Sequence, residues 1–187
     1  PEYPHRRHLF PDHGFAPEAV YLVQALSLTG EKRLVDILRR IVDALELDPE
    51  TSDSMFTYAY AVCYAADRIA CVELQRPLAV LADKPAVAGR IVGPDDDLRA
   101  VADPVAERYA YIELSCFRAL ARCGSRRGWQ GLITYLADRR SFLHRSARLE
   151  LRDLAGADLR YNQDAWSAWL EGTTSWQIPQ PLTRRFD

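Results

Sequence analysis

Residues 34–41 read LVDILRRI, and the spacing of their apolar side chains decides the fold predicted for this chain. Leu34, Ile37, Leu38 and Ile41 fall at positions i, i+3, i+4 and i+7. This spacing places all four side chains on one face of an α-helix. The stretch therefore predicts a helix that buries this face against a neighbouring element.

The same spacing recurs three more times along the chain. The second copy begins at Leu74, the third at Trp129 and a shortened fourth at Trp166, so the starts lie 40, 55 and 37 residues apart. Each copy follows another apolar stretch of helical length. Helix pairs repeated at about 40 residues are typical of HEAT-type α-solenoids. The pattern predicts an all-α fold, an α-solenoid (HEAT/armadillo-like superhelix) of about four antiparallel helix pairs.

Three segments depart from the repeat, which we expect to span residues 16–171. Residues 1–15 are rich in Pro, His and Arg and are interpreted as a non-repeating lead-in. Residues 85–104 contain glycines, prolines and three consecutive aspartates, and we interpret them as an insertion that explains the long spacing. The insertion permits one short helix over 86–92 and a second, capped by an aspartate, near Leu98. Residues 172–187 have no apolar period and predict an extended tail.

Composition and charge exclude several classes of protein. The chain has 187 residues, 48% of them hydrophobic and 27% charged, which is typical of a globular domain. The net charge of −2 provides no overall field to attract nucleic acid or an anionic membrane. No run of 18 apolar residues is present, so no membrane span is expected. Because the chain begins at Pro1, we expect a fragment of a longer protein; a cytoplasmic location is favoured, with a signal in the missing part left open.

The four cysteines are predicted to be small buried side chains. They form no C-x-x-C pair, and each lies in an apolar stretch of helical character. Cys116 and Cys123 are seven residues apart on one helix, too far to bridge each other. This pattern favours neither a disulfide framework nor a zinc site.

Several segments resemble HEAT-like repeat modules of bacterial proteins. They are residues 25–30 (ALSLTG), 107–114 (ERYAYIEL), and 153–156 (DLAG) followed by 164–170 (DAWSAWL). The resemblance covers about residues 17–171. It implies that the two tryptophans of the last segment seal the end of a helix stack.

Residues 4–14 (PHRRHLFPDHG) resemble the start of the C-terminal helical region of some bacterial FAD-dependent oxidoreductases. This resemblance implies that any flavin chemistry belongs to a preceding domain that is missing from the chain. The chain itself contains no G-x-G-x-x-G fingerprint, so we assign it no cofactor and no flavin-binding residue.

His5, His8 and His13 are the candidate metal ligands of the lead-in. Three imidazoles with Asp12 nearby have donor types that suit zinc or another transition metal. The neighbouring Arg6 and Arg7 disfavour a bound cation. Two alternatives stay open: the lead-in docks on the first helices with its histidines hydrogen-bonded, or a histidine serves a neighbouring domain.

Arginine provides the second set of candidates, since the chain contains 22 arginines and two lysines. Arg39, Arg40 and Arg127 fall on second helices of pairs, which line the concave face in HEAT-like solenoids. A row of guanidinium groups there would hold phosphates or carboxylates in a ligand groove. The alternative is a solvated face whose arginines pair with the 26 acidic residues.

Tyr109 and Glu113 share a helix face at i and i+4, and we expect them to enter a buried Tyr–Glu–Arg network. The alternative, acid–base catalysis by paired carboxylates, would need a cleft. No catalytic residue is assigned.

Three hypotheses about function follow from the sequence. The first is a non-catalytic scaffold or interaction module, whose partner is another protein or a preceding domain of the same chain. The second is an accessory C-terminal domain of a FAD-dependent oxidoreductase, so it stays open whether the parent protein is an enzyme. The third is a module that binds phosphate or nucleic acid, of which the nucleic-acid version is disfavoured by the net charge.

Overall fold

The computed structural model describes residues 18–31, 33–47 and 53–173, and their fold is all-α, as predicted. Within these ranges there are nine α-helices, one 3-10 turn (Val72–Leu74) and no β-strand. The helices are α1 (Glu18–Ser27), α2 (Leu34–Ala44), α3 (Asp53–Ile69), α4 (Gln75–Ala82), α5 (Leu98–Val101), α6 (Pro104–Arg122), α7 (Arg126–Tyr135), α8 (Ser141–Ala155) and α9 (Gln163–Gly172).

Most side chains of the apolar faces predicted from the repeat are buried. Ile41 and Trp169 are half-buried, whereas Ile37 is 44% exposed although it belongs to the stretch that decides the fold. The buried members are Leu34, Leu38, Leu74, Pro77, Leu78, Leu81, Trp129, Leu132, Ile133, Leu136, Trp166 and Leu170. The helical period was therefore read correctly, and the exposure of Ile37 marks a place where no described helix covers α2.

Local signals set several helix ends. Pro77 lies in the first turn of α4, where a missing N–H costs nothing, and the residues before α4 form a 3-10 turn. The Asn162 side chain accepts a hydrogen bond from the Ala165 amide (3.0 Å) and caps α9. Gly156 adopts a left-handed conformation (φ +68°) and ends α8.

The short helix that the sequence permits over 86–92 does not form, because the amides of Gly89 and Arg90 donate to the Glu113 side chain instead of to preceding carbonyls. α7 ends at Tyr135, and beyond it the Arg139 amide donates to the Val92 carbonyl of the same loop.

The long helix α6 joins the two halves of the core. Its residues Tyr109, Ile112 and Cys116 belong to an apolar cluster built with α1–α4, and Leu114 and Ala121 belong to a second cluster built with α7–α9. α6 contacts α3 and α4 on one side and α7 and α8 on the other. α3 in turn contacts α1 and α2, so packing runs from each helix to its close neighbours in the chain.

The predicted insertion is an ordered loop with one short helix, α5. The Asp97 side chain accepts from the Arg99 amide (2.9 Å) and caps α5, as the sequence predicts. None of the helices in the described part of the chain is long and apolar enough to cross a membrane.

Candidate functional site

The predicted metal ligands His5, His8 and His13 lie outside the described residues, as do the rest of the predicted lead-in and residues 174–187 of the predicted tail. Among residues 18–31, 33–47 and 53–173, no group of three or more His, Cys, Asp or Glu side chains is arranged to hold a metal ion.

The three predicted groove arginines have different surroundings. Arg39 forms an ion pair with Asp36 one turn earlier (3.2 Å). Arg127 binds Asp83 through both of its terminal nitrogens, one of them at 2.9 Å, and hydrogen bonding to Arg127 lowers the pKa of Asp83. The Arg40 side chain forms no ion pair or hydrogen bond with another described residue. It lines a groove to which neither Arg39 nor Arg127 of α7 contributes.

This groove lies between α1, α2 and the start of α3 and has a volume of about 490 Å³. α1 contributes Ala19 and Val23, and α2 contributes Ile37, Arg40, Ile41 and Ala44. The wall formed by α3 includes Met55 and Tyr58. We call it the N-terminal groove.

The N-terminal groove is apolar and open. Arg40 is the only charged residue among the described residues that line it, and the hydroxyl of Tyr58 adds one further polar group. Its volume falls within the range of about 300–1,000 Å³ that is usual for binding sites. An apolar surface with one unpaired cation suits an apolar ligand that carries a negative charge.

A cluster of four charged side chains forms a second site, which the sequence did not predict. Asp67 on α3, Arg118 and Arg122 on α6, and Glu150 on α8 form what we call the buried charge cluster. Arg122 Nε lies 2.7 Å from Asp67 Oδ1, and Arg122 Nη2 lies 2.5 Å from Glu150 Oε1. Arg118 Nε lies 3.2 Å from Glu150 Oε2, and Arg118 Nη2 lies 3.5 Å from Asp67 Oδ2.

Burial and ion pairing compete in the electrostatics of this cluster. Desolvation raises the pKa of Asp67, although Arg118 and Arg122 oppose it. Desolvation also acts against the charge of Arg118, but Glu150 and Asp67 outweigh it and raise the pKa of Arg118. The Arg122–Asp67 contact is close, yet its N–H is not aligned for a hydrogen bond, so we interpret it as an ion pair.

A small cleft of about 160 Å³ lies beside the buried charge cluster, between α6 and α8. Tyr111 and Phe142 stack at one side of it with ring centroids 5.6 Å apart. The volume is below the usual range for ligand sites. Both of its charged lining residues, Arg118 and Glu150, already pair with each other. The cluster therefore ties α3, α6 and α8 together and offers no free charge to a ligand.

Glu113 is the centre of a third site, and its partners differ from those predicted. Its carboxylate accepts from the amides of Gly89 (2.7 Å) and Arg90 (2.8 Å) and from the hydroxyl of Tyr135 (2.6 Å). The ring of Tyr109 instead packs against that of Phe56, with centroids 4.6 Å apart and planes tilted by 49°. The predicted buried contact between a tyrosine and Glu113 is present, but the tyrosine is Tyr135 and not Tyr109.

Asp138 and Arg140 complete the attachment of the inserted loop. Asp138 accepts from the Val92 amide (3.1 Å), and Arg140 donates to the carbonyl of Arg90 (2.5 Å). Asp138 and Arg140 also pair with each other at 2.6 Å. These contacts hold the loop against α6 and α7, which is a structural task.

The cysteines behave largely as predicted. Cys63, Cys116 and Cys123 are buried, and Cys71 is half-buried. The sulfurs of Cys63 on α3 and Cys116 on α6 lie 3.5 Å apart, which the sequence did not indicate. Burial raises the pKa of Cys116, and it raises the pKa of Cys123 to about 12, so both are thiols at neutral pH.

No family model matches this chain, and no match was found among curated proteins or among solved structures. The candidate site therefore rests on the contacts of the chain itself. Of the sites described, only the N-terminal groove combines an open apolar surface with a charge that is not already paired.

The sequence contained a signal for the buried acids that spacing alone did not reveal. Glu113 and Glu150 are each flanked on both sides by apolar residues, within YIELS and RLELR. An acid at such a position on a helix enclosed by neighbours needs buried partners. The positions of those partners depend on packing between helices.

Proposed function

We propose that this chain is a non-catalytic HEAT-like solenoid that binds another protein or domain through its N-terminal end. The observation that carries the proposal is the difference between the two ends of the helix stack. At the end formed by α9, Trp166 is buried and Trp169 is half-buried, whereas the end formed by α1 and α2 exposes large apolar side chains.

The solenoid arrangement is supported by the order of helix contacts. α3 contacts α1, α6 contacts α3, and α8 contacts α6, so the first helices of successive pairs form one row. Among the second helices, α4 contacts α2 and α9 contacts α7. In solenoids each repeat contacts its neighbours, and the last repeat needs a polar outer face.

The α9 end has the features of such a cap. Trp166 is fully buried, and its ring meets that of Trp169 edge-on at 6.1 Å. Trp169 also stacks on Trp129 of α7, with centroids 5.0 Å apart. The exposed side chains of α9 are small or polar, as at Ser167 and Glu171.

Among the described residues, the α1 end exposes large apolar side chains instead. Tyr21 and Leu22 are 52% and 55% exposed, and Leu26 is 42% exposed. Ile37 of α2 is exposed beside the N-terminal groove. A cluster of exposed large apolar side chains is typical of an interaction surface.

The charges of the described residues support a non-catalytic role. Arg118, Arg122 and Arg140 pair with acids of the same chain, and Glu113 accepts three hydrogen bonds from it. Because these charges are already paired within the chain, we assign them a role in maintaining the fold. The alternatives of an oxidoreductase accessory domain and of a phosphate or nucleic-acid module stay predictions from the sequence.

Photocrosslinking from the two ends tests the proposal. A benzophenone amino acid replaces Leu22 at the open end or Ser167 at the sealed end, and each protein is produced in its source cells. We expect one dominant crosslinked partner from position 22 and none from position 167. Equal yields from both positions, or none from position 22, would contradict an interaction module that uses this end.

The same experiment distinguishes a separate partner from a domain of the same polypeptide. Mass spectrometry of the crosslinked peptides identifies which chain carries the attached residue. A crosslink to a nucleotide-binding domain of the same polypeptide would favour the oxidoreductase alternative.

A further inference from the structure

We propose that the N-terminal groove binds an amphipathic α-helix of another protein, with its apolar face in the groove and an acidic side chain on Arg40. This inference rests on the proposed function and specifies the surface and the chemistry of the partner.

α1 and α2 each carry an apolar stripe that contributes residues to the groove. On α1 the stripe consists of Ala19, Leu22, Val23 and Leu26, at i, i+3, i+4 and i+7. Ala19 and Val23 line the groove, and the exposed Leu22 and Leu26 extend the same stripe. This spacing is the one by which a helix packs against another helix.

The stripe on α2 has the same spacing. It consists of Ile37, Arg40, Ile41 and Ala44, all of which line the groove. The two stripes and the α3 wall, with Met55 and Tyr58, enclose the N-terminal groove on three sides. A helix that entered the groove would pack against all three helices.

The walls of the N-terminal groove favour a helix over an extended peptide. All of its lining residues except Leu45 lie within α1, α2 or α3, whose backbone amides and carbonyls are largely used inside the helices. An extended peptide would therefore bury backbone groups without partners, at a cost for each group. A helix satisfies its own backbone and pays no such cost.

The dimensions set the length of the partner segment. A stripe from i to i+7 extends about 10 Å along a helix, or two turns. The partner therefore needs about two to three turns, with apolar residues at i, i+3, i+4 and i+7. Grooves of this kind are known to bind amphipathic helices through such anchors.

Arg40 would favour partner helices that carry an acidic side chain. Its guanidinium group has no ion-pair partner among the described residues, whereas the adjacent Arg39 pairs with Asp36. A carboxylate on the edge of the partner's apolar face would pair with Arg40 at the groove, where apolar walls reduce screening by water.

Display selection followed by binding measurements tests the proposal. The probe is a library of 16-residue helical peptides with apolar residues fixed at i, i+3, i+4 and i+7 and random residues elsewhere, selected on the full chain. We expect enriched peptides to carry Asp or Glu beside the apolar face. Fluorescence anisotropy should show at least tenfold weaker binding to Arg40→Glu and to Ala44→Trp, which fills the groove.

Two controls separate the groove from general charge effects. Arg39→Glu makes the same charge change one residue away and should bind within about twofold of the wild type. A peptide whose acid is replaced by Lys should recover binding to Arg40→Glu. Circular dichroism confirms that each variant keeps its helix content.

The opposite results would overturn the proposal. These are a selection with no enrichment, or enriched peptides that bind Arg40→Glu and Ala44→Trp as tightly as the wild type. Binding that appears only after residues 1–17 are deleted would assign the groove to the chain itself. Dimerisation lost in Arg40→Glu, measured by sedimentation, would assign it to a second copy. A crosslinked partner at position 22 whose binding ignores Arg40 would remove this proposal and leave the interaction module intact.

Discussion

The hydroxyl of Tyr135 lies 2.6 Å from a carboxylate oxygen of Glu113, and this contact joins the end of α7 to the middle of α6. The same carboxylate accepts from two amides of the inserted loop, at Gly89 and Arg90. One buried acid thus fixes a helix and a loop at once. The pKa of the Tyr135 hydroxyl is raised, since its own burial and the nearby Glu113 carboxylate both oppose its ionisation.

Replacing Glu113 with Ala should destabilise the protein strongly. The change leaves three donors without their acceptor, at a cost of roughly 3 kcal/mol. For a chain of this size the melting temperature should fall by about 6–12 °C in thermal denaturation. Glu171→Ala, at an exposed position of α9, is the control and should melt close to the wild type. A similar small change for both variants would show that the contacts of Glu113 do not stabilise the fold.

Arg122 and Arg148 offer a matched comparison of a buried and a surface ion pair. Arg122 is buried between Asp67 and Glu150, so Arg122→Ala leaves two acids with less compensation and should cost about 3–5 kcal/mol. Arg148 pairs with Asp158 at the surface, where water replaces the lost partner. Urea denaturation should therefore show a much smaller loss for Arg148→Ala, and equal losses would refute the structural role of the buried charge cluster.

Gly128 permits the close approach of α7 to α6. A Cβ atom there would overlap the Ala121 amide nitrogen and lie 2.6 Å from the Phe117 carbonyl oxygen. Because both atoms belong to the backbone, Gly128→Ala must move a helix, and we expect a loss of about 3 kcal/mol or more. Gly172→Ala is the matched control, since its added methyl group meets no atom within 4 Å. Thermal melts should separate the two, and comparable stability would mean that the helices have room to move apart.

Asp158 should make stability depend on pH in acid. Hydrogen bonding to Arg148, aided by the Arg160 amide, lowers the pKa of Asp158 to about 2 from the ordinary value of 3.8. Between these values the unfolded chain binds more protons at this carboxylate than the folded chain does, so its contribution is present above pH 3.8 and is lost as the pH falls toward 2.

Urea denaturation from pH 5 to pH 2 tests this assignment. The stability advantage of the wild type over Asp158→Asn should shrink as the pH falls. Arg148→Ala removes the main partner and should lose most of the same dependence. An advantage that stays constant over this interval would argue against the lowered pKa.

The repeated apolar spacing predicted most of the helices correctly because it depends only on neighbouring residues. A helix face is defined by residues three and four apart, so the stretches at Leu34, Leu74 and Trp129 revealed it without knowledge of other segments. The caps at Asp97 and Asn162 were predictable for the same reason, since each bonds to an amide two or three residues later.

The candidate site was only partly visible from the sequence. Arg39, Arg40 and Arg127 were predicted to line one ligand groove, but Arg39 and Arg127 pair with acids and only Arg40 lines the N-terminal groove, which sequence spacing did not reveal. The groove itself depends on Ile37 remaining exposed beside α1. Whether an apolar residue is covered depends on which helix lies next to it.

The sequence by itself determined the all-α class, most of the helices and their buried faces, because these follow from local periodicity and capping. Only the tertiary structure decided that Asp67 meets Arg122, that Glu113 meets Tyr135, and that Trp166 is buried while Leu22 is exposed. These relationships join residues that are tens of positions apart in the chain. Their partners are set by how whole helices pack, and helix packing accepts many pairings for the same apolar pattern.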